Sequence, residues 1–565
     1  MKKLINDPRH VVREMLEGLT SLHPGLALLA GENVVVRSDL PEPPRRPVAV
    51  LSGGGAGHEP AHAGYVGPGL LTGAIAGDVF TSPSTDAVLA AIRACAGPAG
   101  AVLVVKNYTG DRLNFGLAAE MAHGEGIPTE VVVVADDVAL RGRVEASRSR
   151  GIAGTVLVHK VAGAAAGAGK PVREVAEAAR TAAARLATMG VALSACTVPA
   201  VGRPGFSLGE DEIELGLGIH GEAGMERAGI APADALAEIM IGKIVETSGL
   251  SAGSRAALLV NGLGGTPPME LAIVARGALA ALRRRGVAVE RAWAGDFLTA
   301  LDMAGCSLSV LALDEGIAAA LDAPASAPAW PGGGRVEAER RIVPAPEGGR
   351  AGTASATPFP LAPRFRAVLA SVADALTAAE PRLADLDGRA GDGDLGASMV
   401  RGAEAIRGLP DSAWASPSAV LSTLGDALRR AIAGSSGPFY ATALLRAARR
   451  LGDGPQPDLA TWAAAFDEAV AAIEQLGGAK PGDRTMLDAL RPAADALTKA
   501  AGEGRSLGEA WGAAVAAAEA GAEATSRMQP RLGRASYVGD RALGAPDAGA
   551  AAVGIWMRAI GRALG

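Results

Sequence analysis

Residues 101–111 read AVLVVKNYTGD, so five apolar residues are followed directly by a polar segment that begins at Lys106. Similar short runs rich in valine and leucine occur at Pro47–Ser52, Glu130–Ala135 and Gly154–His159. Alanine-rich segments with helical composition lie between several of these runs. This alternation predicts a parallel sheet with covering helices.

A second set of short apolar runs follows along the chain. These runs are Ala192–Thr197, Ala256–Asn261, Ala288–Ala292 and Ser307–Leu313. The pattern predicts two α/β lobes that divide near residue 185.

The composition changes at residues 323–364, where Pro, Gly, Ala and Ser dominate as they do in linkers. We predict a first domain at 1–330, a linker at 331–362 and a second domain at 363–565. The second domain has almost no β-branched runs, and its long Ala/Leu/Arg segments predict an all-α fold. The predicted fold class is therefore multidomain: a two-lobed α/β domain followed by an all-α domain.

Composition and charge exclude several functional classes. The net charge is -6, and no Lys/Arg cluster has the density that nucleic-acid binding requires. No apolar stretch is typical of a membrane span, and the first ten residues lack the apolar core of a signal peptide. The three cysteines are far apart, which indicates neither a disulfide framework nor a zinc site. The sequence predicts a cytoplasmic protein without nucleic-acid or membrane partners.

Two segments after predicted strands carry polar groups. Open α/β sheets bind ligands at the carboxyl ends of their strands, where Lys106 and Asp111 are expected. Asp111 can accept a proton. The segment 53–60 reads GGGAGHEP, and such a turn exposes backbone N–H groups and lets a ligand approach the main chain. Each segment taken alone is also compatible with a turn that binds nothing.

Residues 216–222 read GLGIHGE and place an imidazole among small residues. A neutral imidazole nitrogen can add to a carbonyl carbon, as other nucleophilic side chains do. A lone histidine is more often structural. All seven histidines precede the linker, so any imidazole chemistry belongs to the first domain.

Residues 386–396 read LDGRAGDGDLG and place Asp387, Asp392 and Asp394 within eight residues. Clustered carboxylates suit a hard cation such as Mg²⁺ or Ca²⁺, and the alternative is a solvated acidic loop. Residues 434–438 (GSSGP) precede a predicted helix and can cradle a phosphate. Residues 482–486 (GDRTM) can touch a nucleotide or cap the next helix.

Together, these motifs resemble the dihydroxyacetone kinase family in its single-chain, ATP-dependent form, over nearly the whole chain. The matching segments are GGGAGHEP, KNYTGD, GIHGE, GDGDLG, GSSGP, GDRTMLDAL and GRASYVGDRALGAPDAGA. The resemblance implies a ketone-binding first domain, a second domain shaped as a barrel of eight helices, ATP and Mg²⁺ as cofactors, and a homodimer formed through the first domain.

The resemblance also implies residue roles. His220 is expected to form a covalent hemiaminal with the substrate carbonyl, with His58 and Asp111 as the other catalytic residues. The expected substrate-binding residues are Gly55, Ala56, Gly57, His58, Lys106 and Asp111, and the expected metal ligands are Asp387, Asp392 and Asp394. The expected nucleotide-binding residues are Gly396, Ser398, Met399, Ser435, Ser436, Gly477, Thr485, Met486, Asp547 and Gly549.

The chain departs from the family pattern at Ala223, at Ala548 and in the segment 439–442. These departures bear on substrate preference and on the nucleotide lid. The leading prediction is phosphorylation of dihydroxyacetone, with glyceraldehyde as a further substrate. The alternatives are a four-carbon ketose such as erythrulose, cleavage of FAD to cyclic FMN, and a ligand sensor without turnover.

Overall fold

The structure is a computed structural model that describes residues 2–142, 149–344, 358–452, 454–533 and 535–564. The chain forms two compact units, Met1–Pro344 and Ala345–Gly565. Residues 345–357 of the predicted linker lie outside the described residues. In the parts of the chain that the structure describes, no helix is both long and apolar enough to cross a bilayer.

The first sheet of the first unit is parallel at its centre. Its strand order is β1-β2-β4-β3-β5-β6, and β4, β3, β5 and β6 run parallel while β1 and β2 pair antiparallel at one edge. The strands are β1 (Leu26–Leu28), β2 (Val34–Arg37), β3 (Ala49–Ala56), β4 (Gly73–Val79), β5 (Ala101–Lys106) and β6 (Thr129–Val134). The helices of this part are α1 (Val11–Leu22), α2 (Thr85–Cys95), α3 (Thr109–Gly124), α4 (Thr155–Gly167) and α5 (Val172–Ala184).

The predicted strand at Gly154–His159 is wrong, because this segment begins helix α4. Almost every residue of α4 is buried, so its sequence lacks the polar face that marks a surface helix. A short apolar run cannot be told from a buried helix by periodicity alone. The carboxylate of Asp136 accepts hydrogen bonds from the backbone N–H groups of Ile152 and Gly154, and so fixes the start of the helix.

The second sheet is largely antiparallel, with strand order β11-β10-β12-β7-β8-β9 and one parallel pair, β10 with β11. Its strands are β7 (Leu186–Ala192), β8 (Glu212–Leu215), β9 (Glu226–Gly229), β10 (Arg255–Gly262), β11 (Ala288–Gly295) and β12 (Gly305–Ala312). Its helices are α6 (Ala233–Ser248), α7 (Pro268–Arg284) and α8 (Glu315–Asp322). The strand expected at Ala192–Thr197 is misplaced, since β7 ends where that prediction begins.

The described part of the second unit is mostly helical and contains no strand. Its helices are α9 (Ala362–Ala378), α10 (Glu380–Gly388), α11 (Leu395–Arg407), α12 (Pro417–Ala431), α13 (Ser436–Leu451), α14 (Leu459–Gly477), α15 (Leu487–Gly502), α16 (Leu507–Ala524), α17 (Ala535–Val538) and α18 (Ala548–Leu564). The predicted α/β and helical classes are therefore confirmed.

The long helices of the second unit contact one another in cyclic order: α9, α11, α12, α13, α14, α15, α16, α18 and back to α9. Adjacent helices run antiparallel wherever contacts between their ends show their relative direction. For example, Gly477 at the end of α14 faces Phe439 at the start of α13. Every second connection therefore lies at the same rim. Four motifs lie at this rim. The acidic motif lies at the connection between α9 and α11, and GSSGP lies between α12 and α13. GDRTM lies between α14 and α15, and the last glycine-rich motif lies between α16 and α18.

Candidate active site

The carboxyl ends of β3 and β5 meet at one edge of the first sheet because these strands are parallel neighbours. A Cβ atom at Gly54 would lie 3.2 Å from Nζ of Lys106 and 3.6 Å from Oδ2 of Asp111. The glycine thus leaves room for two functional side chains beside the strand. Lys106 is buried, and burial lowers the pKa of its ammonium group, while the nearby charge of Asp111 opposes that effect.

Asp111 lies in the first turn of α3 and is buried. Oγ of Ser82, in the loop after β4, donates a hydrogen bond to Oδ1 of Asp111. This contact fixes the orientation of the carboxylate.

His58 is fully buried at the end of the glycine-rich turn. Its Nδ1 lies 2.7 Å from the backbone oxygen of Thr299, and its Nε2 lies 3.0 Å from Nε2 of His220. Burial lowers the pKa of His58 well below its ordinary value, and the charges of Lys106 and His220 add to that effect. His58 is therefore a neutral imidazole that faces a second imidazole.

His220 comes from a loop after β8, and its side chain is 21% exposed. Its ring lies edge-on to the rings of Phe80 and Tyr108, with centroid separations of 5.1 and 4.8 Å. Its Nδ1 lies 2.8 Å from Oε1 of Glu222. Burial opposes the ionised form of Glu222, but the hydrogen bonds and the charge of His220 lower its pKa to about 2.

The small residues of the glycine-rich turn pack closely. A Cβ atom at Gly55 would lie 2.5 Å from the backbone nitrogen of Thr81, and one at Gly57 would lie 2.9 Å from the ring of Phe80. Ala56 is buried between them. This close packing brings the turn next to the loop after β4, and so His58 next to Phe80, with ring centroids 5.0 Å apart.

The structure thus brings the predicted residues of the first unit into one region, and it adds others. Sequence reasoning gave no role to Ser82, Phe80, Tyr108, Glu222 or Thr299. Tyr108 and Glu222 lie within the motifs KNYTGD and GIHGE, where polar character next to a candidate residue was an available signal. Ser82, Phe80 and Thr299 carry no such local signal.

In the second unit, Asp387, Asp392 and Asp394 each offer a carboxylate oxygen, and the three oxygens lie within 4.8 Å of one another. Three hard oxygen donors at this spacing fit Mg²⁺. Asp387 lies in the last turn of α10, and its Oδ2 accepts a hydrogen bond from the backbone N–H of Leu395 at 3.3 Å. Gly393 has a φ of +77°, so the loop makes a turn that favours glycine.

The predicted nucleotide-binding residues of α11 lie in its first turns. A Cβ atom at Gly396 would lie 2.4 Å from the backbone oxygen of Glu380, so this glycine allows α11 to pack against α10. Ser398 is buried, and its Oγ accepts a hydrogen bond from Arg401 at 2.8 Å. Met399 packs in the core of the unit.

Three other predicted nucleotide-binding positions, Ser435, Ser436 and Gly477, lie near the start of α13. Ser435 is exposed and Ser436 partly buried, and both follow Gly434, which has a φ of +70°. Gly477 contacts the ring of Phe439, where a Cβ atom would lie 2.9 Å away. The two serines and Gly477 are therefore on the same side of the unit.

The remaining predicted positions converge at the starts of α15 and α18. A Cβ atom at Gly549 would lie 3.6 Å from Cβ of Met486. The backbone N–H of Thr485 donates to Asp488 at 2.8 Å. Burial raises the pKa of Asp547 to about 6, and the charges of Asp488 and Asp387 add to that effect. Asp547 is thus close to the acidic loop.

Two protein-family models each match one of the two units. The Dak1 domain matches residues 17–329, and the DAK2 domain matches residues 389–562. The chain is 44% identical over 575 residues to a triokinase/FMN cyclase of Homo sapiens, with 99% of this chain and 98% of the relative covered. It is 37% identical over 571 residues to a D-erythrulose kinase of Mycolicibacterium smegmatis, with 99% and 98% covered.

A solved structure is similar over the same length. The dihydroxyacetone kinase from C. freundii, in complex with AMP-PNP and Mg²⁺, is 34% identical to this chain. The match covers 99% of each chain with a TM-score of 0.63.

Proposed function

The chain belongs to the dihydroxyacetone kinase family, and we propose that it transfers the γ-phosphate of ATP to dihydroxyacetone, giving dihydroxyacetone phosphate. The observation that carries this proposal is the contact between Nε2 of His58 and Nε2 of His220, beside Lys106 and Asp111. A pair of imidazoles next to a buried cation and a carboxylate suits a small molecule with one carbonyl and adjacent hydroxyls.

In this proposal, Nε2 of His220 adds to the carbonyl carbon and forms a hemiaminal. The N–C bond forms as the C=O π pair moves to oxygen, and that oxygen takes a proton. His58 lies where it can take part in this proton movement. Glycerol has no carbonyl, so covalent capture excludes it, and holding one end of the ketone at a fixed atom orients the other end for transfer.

We propose that Asp111 accepts the proton of the attacking hydroxyl, because its carboxylate is held in place by Ser82. Lys106 binds an oxygen of the substrate, together with Gly55, Ala56 and Gly57 at the turn. The close approach that Gly54 permits supports this arrangement.

We further propose that Asp387, Asp392 and Asp394 hold Mg²⁺, which neutralises the charge of the ATP phosphates. Clustering of the three carboxylates, together with their suitable oxygen donors, supports this assignment. The cyclic order of helix contacts supports the proposal that the second unit is an eight-helix barrel. Its rim would hold the nucleotide through the residues around Gly396, Ser398, Met399, Ser435, Ser436, Gly477, Thr485, Met486, Asp547 and Gly549.

A coupled assay with ATP and Mg²⁺ tests the function across dihydroxyacetone, glyceraldehyde and both enantiomers of erythrulose. We expect the highest kcat/KM for dihydroxyacetone and strong impairment in His220→Ala. Asp392→Asn should abolish turnover of every substrate, whereas Asp385→Asn, an exposed carboxylate of the same segment paired with Arg389, should retain it. No phosphorylation of any ketone by the wild type, or full activity of Asp392→Asn, contradicts the proposal.

Two alternatives are favoured by the names of full-length relatives. Similarity to a D-erythrulose kinase makes four-carbon ketoses candidate substrates of the same His220 chemistry. Similarity to a triokinase/FMN cyclase makes FAD a candidate substrate of the second unit. Incubation with FAD and Mn²⁺ separates the two, because only the cyclase forms cyclic FMN.

We also propose that the protein is a homodimer formed through its first unit. Helix α3 exposes Leu113, Leu117 and Met121, which are four residues apart and so lie on one face. A second copy of the chain would cover this apolar stripe. Light scattering coupled to gel filtration should give twice the chain mass, and Leu117→Asp should give a monomer. A wild-type monomer contradicts the proposal.

A further inference from the structure

One carboxylate holds both the ring and the backbone of His220. Oε1 of Glu222 lies 2.8 Å from Nδ1 of His220, and Oε2 accepts a hydrogen bond from the backbone N–H of His220 at 2.9 Å. These contacts fix the rotation of the imidazole. Its other nitrogen, Nε2, is therefore directed toward His58.

A buried arginine anchors the same loop. Nε of Arg150 donates to Oδ2 of Asp137 at 2.6 Å, and Nη2 donates to the backbone oxygen of Gly216 at 2.6 Å. The side chains of Arg150 and Asp137 are only 9% and 3% exposed. The buried ion pair with Asp137, within the segment after β6, orients Arg150. The hydrogen bond from Arg150 to Gly216 then holds the start of the His220 loop against this segment.

Gly218 lies beneath both side chains. A Cβ atom there would lie 2.1 Å from Oε2 of Glu222 and 2.6 Å from Nη1 of Arg150. The glycine is thus needed because the carboxylate and the guanidinium group pass directly over the backbone. Glu222, Arg150 and Gly218 form one packed support beneath His220.

The hydrogen-bond partners of the two imidazoles indicate which of their nitrogens carry protons. Nδ1 of His58 faces a carbonyl oxygen and Nδ1 of His220 faces an ionised carboxylate, and both of these partners only accept. Each Nδ1 therefore carries a proton. The two Nε2 atoms, 3.0 Å apart, need a further proton between them. The pair holds three protons and one positive charge, and Glu222 is the adjacent counter-charge.

We propose that Glu222 and Arg150 are positioning residues for ketone capture, an inference that rests on the proposed function. Glu222 holds the proton on Nδ1 of His220 and balances the charge of the imidazole pair, while Arg150 anchors the loop. When Nε2 of His220 bonds to the carbonyl carbon, the C=O π pair moves to oxygen. That oxygen takes the proton shared by the two Nε2 atoms. The charge at the site is unchanged, so Glu222 pairs equally with the free ring and with the alkylated ring.

The first test is a double-mutant cycle on kcat/KM for dihydroxyacetone. Glu222→Gln preserves shape and removes charge, and we expect a loss of about tenfold or more, as when the carboxylate that orients a catalytic histidine is neutralised. In the His220→Ala background the same change should cost less than about twofold, because Glu222 acts through that ring. Glu226→Gln, an exposed glutamate of β9, is the matched control and should retain wild-type activity.

If Glu222→Gln lowers kcat/KM by the same factor in the wild-type and the His220→Ala backgrounds, the proposal is overturned. It is also overturned if Glu222→Gln alone keeps kcat/KM within about twofold of wild type. Arg150→Met should also lower kcat/KM by about tenfold or more. Because that change leaves Asp137 without its cation, the charge-balanced variant Arg150→Met/Asp137→Asn is measured with it. A folded double variant with full activity would overturn the role of Arg150.

The second test does not depend on turnover. In protein labelled with ¹⁵N at histidine, the Nδ1–H of His220 should give a strongly downfield proton resonance, which His220→Ala assigns by its loss. Glu222→Gln should remove or shift this resonance, and Glu226→Gln should not. If the wild type phosphorylates no ketone but this resonance behaves as expected, the proposed function fails while the pairing stands. If the kinase is active and the resonance is unaffected by Glu222→Gln, the positioning role fails.

Discussion

Nδ1 of His58 lies 2.7 Å from the backbone oxygen of Thr299, although the two residues are 241 positions apart in the chain. Two more contacts join the same segments: Oγ1 of Thr299 donates to the backbone oxygen of Glu59, and the N–H of Leu301 donates to the backbone oxygen of Gly57. The glycine-rich turn of the first sheet is thereby attached to the loop that follows β11 of the second. The protonation state of His58 therefore depends on the association of the two lobes.

The buried histidines predict a loss of stability in mild acid. Burial lowers the pKa of His58, His62 and His159, the last to about 3. In the unfolded chain an imidazole titrates near 6.5, so below that pH the unfolded state binds more protons than the folded state. The contribution of these three histidines to stability is therefore complete above about pH 6.5 and falls as the pH falls, by up to about 1.4 kcal/mol per pH unit for each histidine.

Urea unfolding of the first unit between pH 7.5 and 5 measures this effect. His159→Gln should show a shallower decline than wild type, because one of the three proton-linked groups is gone. His10→Asn, at an exposed position, should leave the slope of stability against pH unchanged. Equal slopes for wild type and His159→Gln contradict the prediction.

The buried carboxyl group of Asp547 should give the stability of the second unit the opposite dependence on pH. Burial raises its pKa to about 6, whereas an unfolded aspartate titrates near 3.9. The folded state therefore holds the extra proton, and stability is lost as the pH rises through about 6. Asp547→Asn should be more stable than wild type at pH 8 by about 1–3 kcal/mol without Mg²⁺ or nucleotide, and this difference should shrink toward pH 4.

Denaturant unfolding at the two pH values checks this result, with the exposed, ion-paired Asp426→Asn as the control. The asparagine can still accept the hydrogen bond that the N–H of Ala550 donates at 2.9 Å. A less stable Asp547→Asn at pH 8 would show that the buried carboxylate does not destabilise the free protein. If Asp547 contributes to the nucleotide site, the gain in stability should accompany weaker ATP binding.

Gly218→Ala should lower activity without unfolding the protein. The added Cβ would force Glu222 and Arg150 away from their positions over the backbone. We expect kcat/KM to fall about tenfold or more with a small change in the thermal midpoint. Gly205→Ala is the matched control, because open space surrounds that position. Wild-type kinetics for Gly218→Ala would mean that the loop shifts without consequence for His220.

Ser82→Ala should reduce kcat more than it changes KM. The variant removes the hydroxyl that orients Asp111. A hydrogen bond to a charged group contributes about 1.5–3 kcal/mol, so a loss of about tenfold or more is expected. Steady-state kinetics should show no such loss for Thr81→Ala, whose hydroxyl is in the exposed neighbouring position. An unchanged kcat in Ser82→Ala would show that Asp111 needs no such support.

Much of the fold could be predicted from local pattern. The strand predicted at Ala101–Lys106 has the same bounds as β5. The runs at Ala256–Asn261 and Ala288–Ala292 lie within β10 and β11. At Gly154–His159 the local pattern predicts a strand where helix α4 begins, because a helix buried on almost all sides has no polar stripe. Local pattern also does not encode strand direction, so the antiparallel second sheet required the tertiary structure.

Residue types and spacing in the sequence predict which short segments carry candidate functional groups: His58, Lys106, Asp111, His220 and the three clustered aspartates all lie in motifs that suit the proposed chemistry. Which distant groups contact these residues depends on how the chain folds in three dimensions. Ser82 contacts Asp111, and Thr299 contacts His58, through backbone paths that no spacing in the sequence reports. This difference arises because composition and periodicity report which residues are buried and in which elements, whereas the partner of a buried polar group is determined by how separate elements pack.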